Sequence, residues 1–162
     1  MANNSALDSL LLIAAQQAYL VSDTGTYNGT PPPGYVVDDL IPVGSRVGDT
    51  GLKLIVFKNE TTGERIIAFA GTEASSKDWY SNGQLGANQW RDAKPIIDKY
   101  ISDTLRDSPN AIFHFTGHSL GGGLAEYAAY FTKTDPVLPT LNLNITLTTF
   151  NALFADRDDW FV

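Results

Sequence analysis

Apolar positions along this chain recur with two different periods. Leu7, Leu10, Leu11, Ala14, Ala15 and Ala18 lie three and four apart, which predicts an amphipathic helix over residues 6–20. Ser5 is its candidate N-cap, with Asp8 three residues on. Tyr35 to Val43 alternates loosely and predicts one strand. Leu52 to Lys58 and Glu64 to Ala70 are stronger strand signals, joined by Asn59-Glu60-Thr61-Thr62-Gly63 as a hairpin turn. Ile66 to Ala70 is apolar throughout, as a central strand covered on both faces would be. Trp90, Ala93, Ile97, Tyr100, Ile101 and Leu105 mark one helical face, on which Pro95 is tolerable only near the first turn. A strand over 111–116, a helix over 120–132 and a strand from Leu143 to Phe150 follow. A hairpin and then strand, helix, strand, helix, strand predicts an α/β fold, with a mostly parallel sheet and flanking helices.

Composition narrows the partners more than the fold. The 162 residues, 43% of them hydrophobic, suit one packed domain. A net charge of −7 argues against nucleic acid as partner and against a polybasic grip on anionic membrane. With no cysteine there is no disulfide framework, thiol nucleophile or thiolate metal site, and two histidines do not make a His-rich one. No metal site is expected. Met1 to Leu20 carries no Lys or Arg and does not read as a secretory leader, and no apolar stretch is long enough to cross a bilayer. An export address would lie outside this chain. Ser22 to Gly34 reads as a loop stiffened by Pro31-Pro32-Pro33.

The chemistry concentrates in Gly117-His118-Ser119-Leu120-Gly121, a G-x-S-x-G sequence between an apolar strand and a helix. Such a turn holds a serine at strained backbone angles, and the residues two away on either side must lack a Cβ for strand and helix to approach. The serine hydroxyl is lifted above the sheet. The N–H of Leu120, at the helix start, then faces the negative charge that develops on an attacked carbonyl. The bland reading is a glycine-rich turn that binds phosphate through its N–H groups. Neither the Walker pattern with its Lys nor G-x-G-x-x-G is present.

The chain resembles the class 3 lipase family of α/β-hydrolases. Four stretches carry the resemblance in family order: Ala14-Ala15-Gln16-Gln17-Ala18-Tyr19; Ile67-Ala68-Phe69-Ala70-Gly71-Thr72-Glu73 with Asp78-Trp79 after it; Gly117 to Ala125; and Thr148-Thr149-Phe150-Asn151-Ala152. The family usually has Arg where this sequence has Ala70. The resemblance implies a carboxylic ester hydrolase, a triacylglycerol lipase or phospholipase A type, acting on a lipid or other ester without a cofactor. By the same resemblance Ser119 matches the nucleophile and Thr72 the oxyanion position, through its backbone N–H and hydroxyl, with Leu120 supplying the second N–H. His118 is similar to the family's pre-nucleophile histidine, with a structural role, and Asp78 to a loop-ordering residue. Residues 80–90 fall where relatives carry a lid, with Gly83 and Gly86 as hinges; an ordinary surface loop fits them equally.

The triad order of this fold is Ser, then Asp or Glu, then His. No histidine follows Ser119. His114, on the strand beneath the turn, reads as a core or sheet-face histidine, and Asp156, Asp158 and Asp159 as a solvated acidic turn with a calcium site a remote option. The expectation is therefore the N-terminal portion of a lipase-like domain, residues 1–162, lacking its C-terminal strands. Asp and His would come from a missing C-terminal portion or a second chain. The competing reading is a non-catalytic α/β-hydrolase-like module for binding or assembly through an open sheet edge. A phosphate- or nucleotide-binding domain is disfavoured by the acidic charge and the missing Lys.

Overall fold

The computed structural model of the protein describes residues 5–38, 52–71, 84–136, 138 and 143–152. Its elements are α1 (Ser5–Gln17) closed by a 3₁₀ turn (Ala18–Leu20), β1 (Val36–Val37), β2 (Leu54–Lys58), β3 (Arg65–Phe69), α2 (Gln84–Asp107), β4 (Ile112–His118), α3 (Leu120–Thr134) and β5 (Asn144–Phe150). The five strands form one sheet in the order β1-β2-β3-β4-β5. The β1–β2 and β2–β3 pairings are antiparallel, while β3–β4 and β4–β5 are parallel. The sheet is thus mixed, and the parallel character expected from the sequence belongs to its β3–β5 half.

Side-chain alternation divides the core in two. Ile67 and Phe69 of β3, Leu54 and Val56 of β2, and Phe113 and Phe115 of β4 pack with Ala93, Ile97 and Ile101 of α2 and Leu124 and Ala128 of α3. Ile66 and Ala68, with Ile55 and Phe57, pack on the other side against Leu11, Ala14 and Ala18 of the N-terminal helix and its turn. Every residue of β3 is buried, Ile66 to Phe69 as their unbroken apolar run requires and Arg65 beside a buried carboxylate. Because β3, β4 and β5 advance across the sheet in one direction, crossovers of one hand place α2 and α3 on the same face. That leaves the opposite face to α1.

Several expectations need correction. Ser5 is the first residue of α1 rather than a cap before it, and its carbonyl accepts a hydrogen bond from Ser9 Oγ at 2.8 Å. The predicted strand at 35–43 is reduced to Val36–Val37, and residues 39–43 lie outside the described residues. α2 begins at Gln84 instead of near Trp90, so Pro95 stands in mid-helix. A proline there removes the hydrogen bond to the carbonyl of Arg91, a defect of about 3 kcal/mol. The buried face of Ala93, Ile97, Tyr100 and Ile101 outweighs it. The hairpin turn is as expected. Asn59 Oδ1 accepts from the N–H groups of Thr61 and Thr62 at 2.9 and 3.0 Å, and Gly63 takes a positive φ of 77°.

One buried charge network was not anticipated. Asp38, just past β1, and Arg65, opening β3, are 5% and 4% exposed, with Arg65 Nε 3.4 Å from Asp38 Oδ2. Tyr100 of α2 donates its hydroxyl to Asp38 Oδ2 at 2.7 Å, and Arg65 Nη1 donates to the Gly63 carbonyl. Burial first, then the bond to Asp38, hold the Tyr100 phenol well above its ordinary value. Such a pair adds little net stability, but its disruption strands a buried guanidinium. Asp38→Ala should therefore lower unfolding free energy by about 3–5 kcal/mol in urea titrations, while Asp38→Leu with Arg65→Met should recover most of it. Equal losses in both variants would contradict this account.

Candidate active site

The sharpest backbone feature is the junction between β4 and α3. Ser119 has φ 57° and ψ −127°, outside the regions that side-chain-bearing residues normally occupy. The surrounding chain holds it there. Its N–H donates to the carbonyl of Phe150, the last residue of β5, at 3.1 Å. Its carbonyl accepts from Gly122 and Gly123 N–H at 2.9 and 3.3 Å, starting α3. A serine at a helix N-cap usually turns its hydroxyl to the helix N–H groups. Ser119 makes no such capping bond, so its Oγ is left for other chemistry.

Two glycines make the junction sterically feasible. A Cβ on Gly117 would lie 2.2 Å from the carbonyl oxygen of Gly121. A Cβ on Gly121 would lie 2.3 Å from the carbonyl oxygen of Phe69 and 2.9 Å from the nitrogen of Gly71. The obstructing atoms are all backbone, so no rotamer change relieves them. The first turn of α3 is pressed directly onto the end of β3. Leu120 follows Ser119 as the first residue of α3, where N–H groups lack a carbonyl one turn earlier and the helix dipole is positive. A half-buried hydroxyl beside such an N–H can attack a carbonyl carbon and have the resulting oxyanion held. Asn151, directly after β5, takes a positive φ of 45°, and Ala152 Cβ comes within 2.8 Å of where a Gly122 Cβ would be. The fourth stretch singled out in the sequence thus packs against the junction.

His118 does not turn toward solvent alone. Its Nδ1 is 3.0 Å from the Tyr19 hydroxyl, a contact between residues 99 apart that no local pattern signals. Thr72, Asp78, residues 80–83 of the expected lid stretch, and Asp156, Asp158 and Asp159 lie outside the described residues. Residues 84–90 belong to the first turns of α2, not to a loop.

His114 is removed from this junction. Four residues separate it from His118 along β4, about 13 Å in an extended strand. Its Nδ1 is 2.6 Å from Thr146 Oγ1 of β5 and its Nε2 is 3.8 Å from Glu64 Oε1, just before β3. Glu64 Oε2 in turn accepts from Thr62 Oγ1 at 2.9 Å and from the Tyr35 hydroxyl at 3.3 Å. Burial, and then the charge of Glu64, push the Tyr35 phenol up to about 12. His114 is a buried sheet-face histidine, as expected.

Residues 13–152 match the family described as a Tle-like phospholipase domain. The chain belongs to that family. Its fold is similar to that of a triacylglycerol lipase whose structure was described as having a serine protease triad as catalytic centre, at 14% identity and a TM-score of 0.71, covering 92% of this chain and 62% of that one. The lipase of Rhizopus microsporus var. chinensis is similar at 14% identity and a TM-score of 0.71, covering 94% and 58%. Lip2 lipase of Yarrowia lipolytica is similar at 12% identity and a TM-score of 0.66, covering 94% and 59%. The chain therefore spans less than two thirds of the length of these lipases. No curated protein sequence matches it at a significant level. Among the described residues no helix is long and apolar enough to cross a membrane.

Burial lowers the His114 pKa below its ordinary value of 6.5, with Glu64 opposing the shift. The folded protein thus resists protonation that the unfolded chain accepts. Stability is fully present above about pH 6.5 and declines as pH falls from there toward the lowered folded value. Thermal melting between pH 7.5 and 5.5 should show a steeper loss for the wild type than for His114→Asn. Parallel pH profiles would show that this histidine does not titrate against folding.

Proposed function

We propose that this chain is the nucleophile-bearing portion of a lipid carboxylic ester hydrolase, with Ser119 as the attacking group. The observation that carries the reading is the strained, uncapped Ser119 at the mouth of α3, its angles imposed by backbone contact at Gly117 and Gly121. Membership of a phospholipase-like family and the likeness in fold to fungal lipases support ester chemistry on a lipid, with a phospholipid as the favoured substrate.

In this mechanism Ser119 Oγ adds to the ester carbonyl carbon while its proton passes to a histidine. The carbonyl oxygen becomes an oxyanion held by the N–H groups of Leu120 and Thr72, each such donor contributing about 2.7–4 kcal/mol. Collapse of the intermediate expels the alcohol, protonated by that histidine, and leaves an acyl-serine. Water, deprotonated by the same histidine, then releases the fatty acid. The described residues put no histidine at the hydroxyl: His118 turns to Tyr19, and His114 is bound to Thr146 farther down the sheet. The reading therefore assigns acid and base to a portion of the protein beyond the span shared with the lipases. β5 is where that portion would add to the sheet. Among the described residues it is the last strand of the sheet, and its Leu147 is 42% exposed.

A fluorophosphonate probe distinguishes the possibilities. Mass spectrometry of the whole protein, C-terminal portion included, should find the phosphonyl group on Ser119. Ser119→Ala should take up none and should lower phospholipid hydrolysis by roughly 10⁶-fold. Failure of the wild type to label at Ser119 would remove the enzyme reading and favour a binding or assembly module.

A further inference from the structure

Tyr19 lies outside the junction and touches both the residue before Ser119 and the main chain at Gly71. It sits in the 3₁₀ turn closing α1, and its half-buried hydroxyl reaches across to the ends of β3 and β4. Two contacts from one residue and the main chain of a second converge on that oxygen. The His118 carbonyl is 3.3 Å away and His118 Nδ1 is 3.0 Å away, and the backbone of Gly71 lies close enough to oppose the upward push of burial on the phenol's pKa. A Cβ on Gly71 would lie 2.4 Å from this oxygen, so the phenol occupies the space that a side chain at position 71 would need. The ring meets His118 edge-on, with centroids 6.0 Å apart.

The identity of these partners gives the contact its meaning. Gly71 is the residue before Thr72, and His118 is the residue before Ser119. On the reading of Ser119 as nucleophile and Thr72 as oxyanion donor, one hydroxyl ties together the peptides that carry each. A phenol has one proton to give and two lone pairs to receive. Both His118 contacts are satisfied together when Tyr19 O–H donates to the His118 carbonyl while His118 Nδ1–H donates to Tyr19, which leaves the second lone pair to face the Gly71 backbone. That arrangement requires the His118 ring to carry its proton on Nδ1.

We propose that Tyr19 is a positioning residue, fixing the spacing between the oxyanion loop and the nucleophile turn and holding His118 in its Nδ1–H form. It touches no substrate atom and acts through Gly71 and His118. The proposal rests on the ester-hydrolase reading for its catalytic consequence, but its geometry can be tested apart from it.

Tyr19→Phe keeps the ring and removes the hydroxyl, and a melting midpoint within a few degrees of the wild type would verify the fold. The Gly71 amide should be protected from hydrogen exchange in the wild type. It should exchange about tenfold faster in Tyr19→Phe, with core amides such as Ala68 unchanged. Ring nitrogen shifts should report Nδ1–H for His118 in the wild type only. The kcat for ester hydrolysis should fall by about 10- to 100-fold while KM stays within about twofold, since misplacement is felt in the transition state. An unprotected Gly71 amide in the wild type overturns the proposal without any variant, and so does an unchanged kcat in Tyr19→Phe. A wild type without Ser119-dependent hydrolysis removes the enzyme reading instead, and the exchange measurement still decides whether Tyr19 holds Gly71.

Discussion

Main chain lying against main chain, with no side chain between, is the contact on which this structure depends. The first turn of α3 meets the end of β3 so closely that the Cβ of any other residue at 121 would fall 2.3 Å from the Phe69 carbonyl oxygen. The same turn bends back on Gly117 of β4, which it has just left. Helices usually pack on sheets through side chains, at distances set by the residues at the contact. Here the spacing collapses at one end of α3 only. Farther along, Leu124, Ala125, Ala128 and Ala129 restore an ordinary apolar interface. The tight end leaves Ser119 nowhere to go except the strained region above the strand.

That strain is held by elements far apart in sequence. β5 fixes the Ser119 N–H through Phe150, and Ala152 closes against Gly122. The N-terminal turn adds Tyr19 from the opposite face of the sheet. Small residues carry the close approaches and a phenol fills the gap that remains. The polar residues of β4 on the α1 side follow the same economy of space. Thr116 is fully buried and donates to the Leu11 carbonyl at 3.3 Å, while His114 turns to Thr146. Each finds a partner within the fold, which is the condition for polar groups in a core.

Much of this could be read from the sequence where backbone demands act locally. The strand at 65–69 was evident from the uninterrupted apolar residues Ile66 to Ala70, and the junction from glycines flanking a serine between a strand and a helix. Non-local terms explain the misses. Pro95 carries a strong signal against a helix interior, yet tertiary burial of Ile97, Tyr100 and Ile101 overrides it. Asp38 and Arg65 look like surface charges until the fold buries them together with Tyr100. Tyr19 stood in a stretch noted for its resemblance, but its purpose needed a partner 99 residues away. Thr72, the second expected oxyanion donor, lies outside the described residues, so the legible part of the candidate site is its serine side.

Family membership and fold place the chain among phospholipase-like domains, and the local geometry at Ser119 joins that placement to a chemistry. The central claim is that one hydroxyl and the N–H of Leu120 address the same reacting centre. A crystal structure of the whole protein carrying a phosphonate on Ser119 tests it most directly. The account predicts a phosphonyl oxygen about 3 Å from the Leu120 nitrogen, with Ser119 still at positive φ. A phosphonyl oxygen beyond about 3.6 Å from that nitrogen, or a serine relaxed into ordinary helical angles, would contradict it.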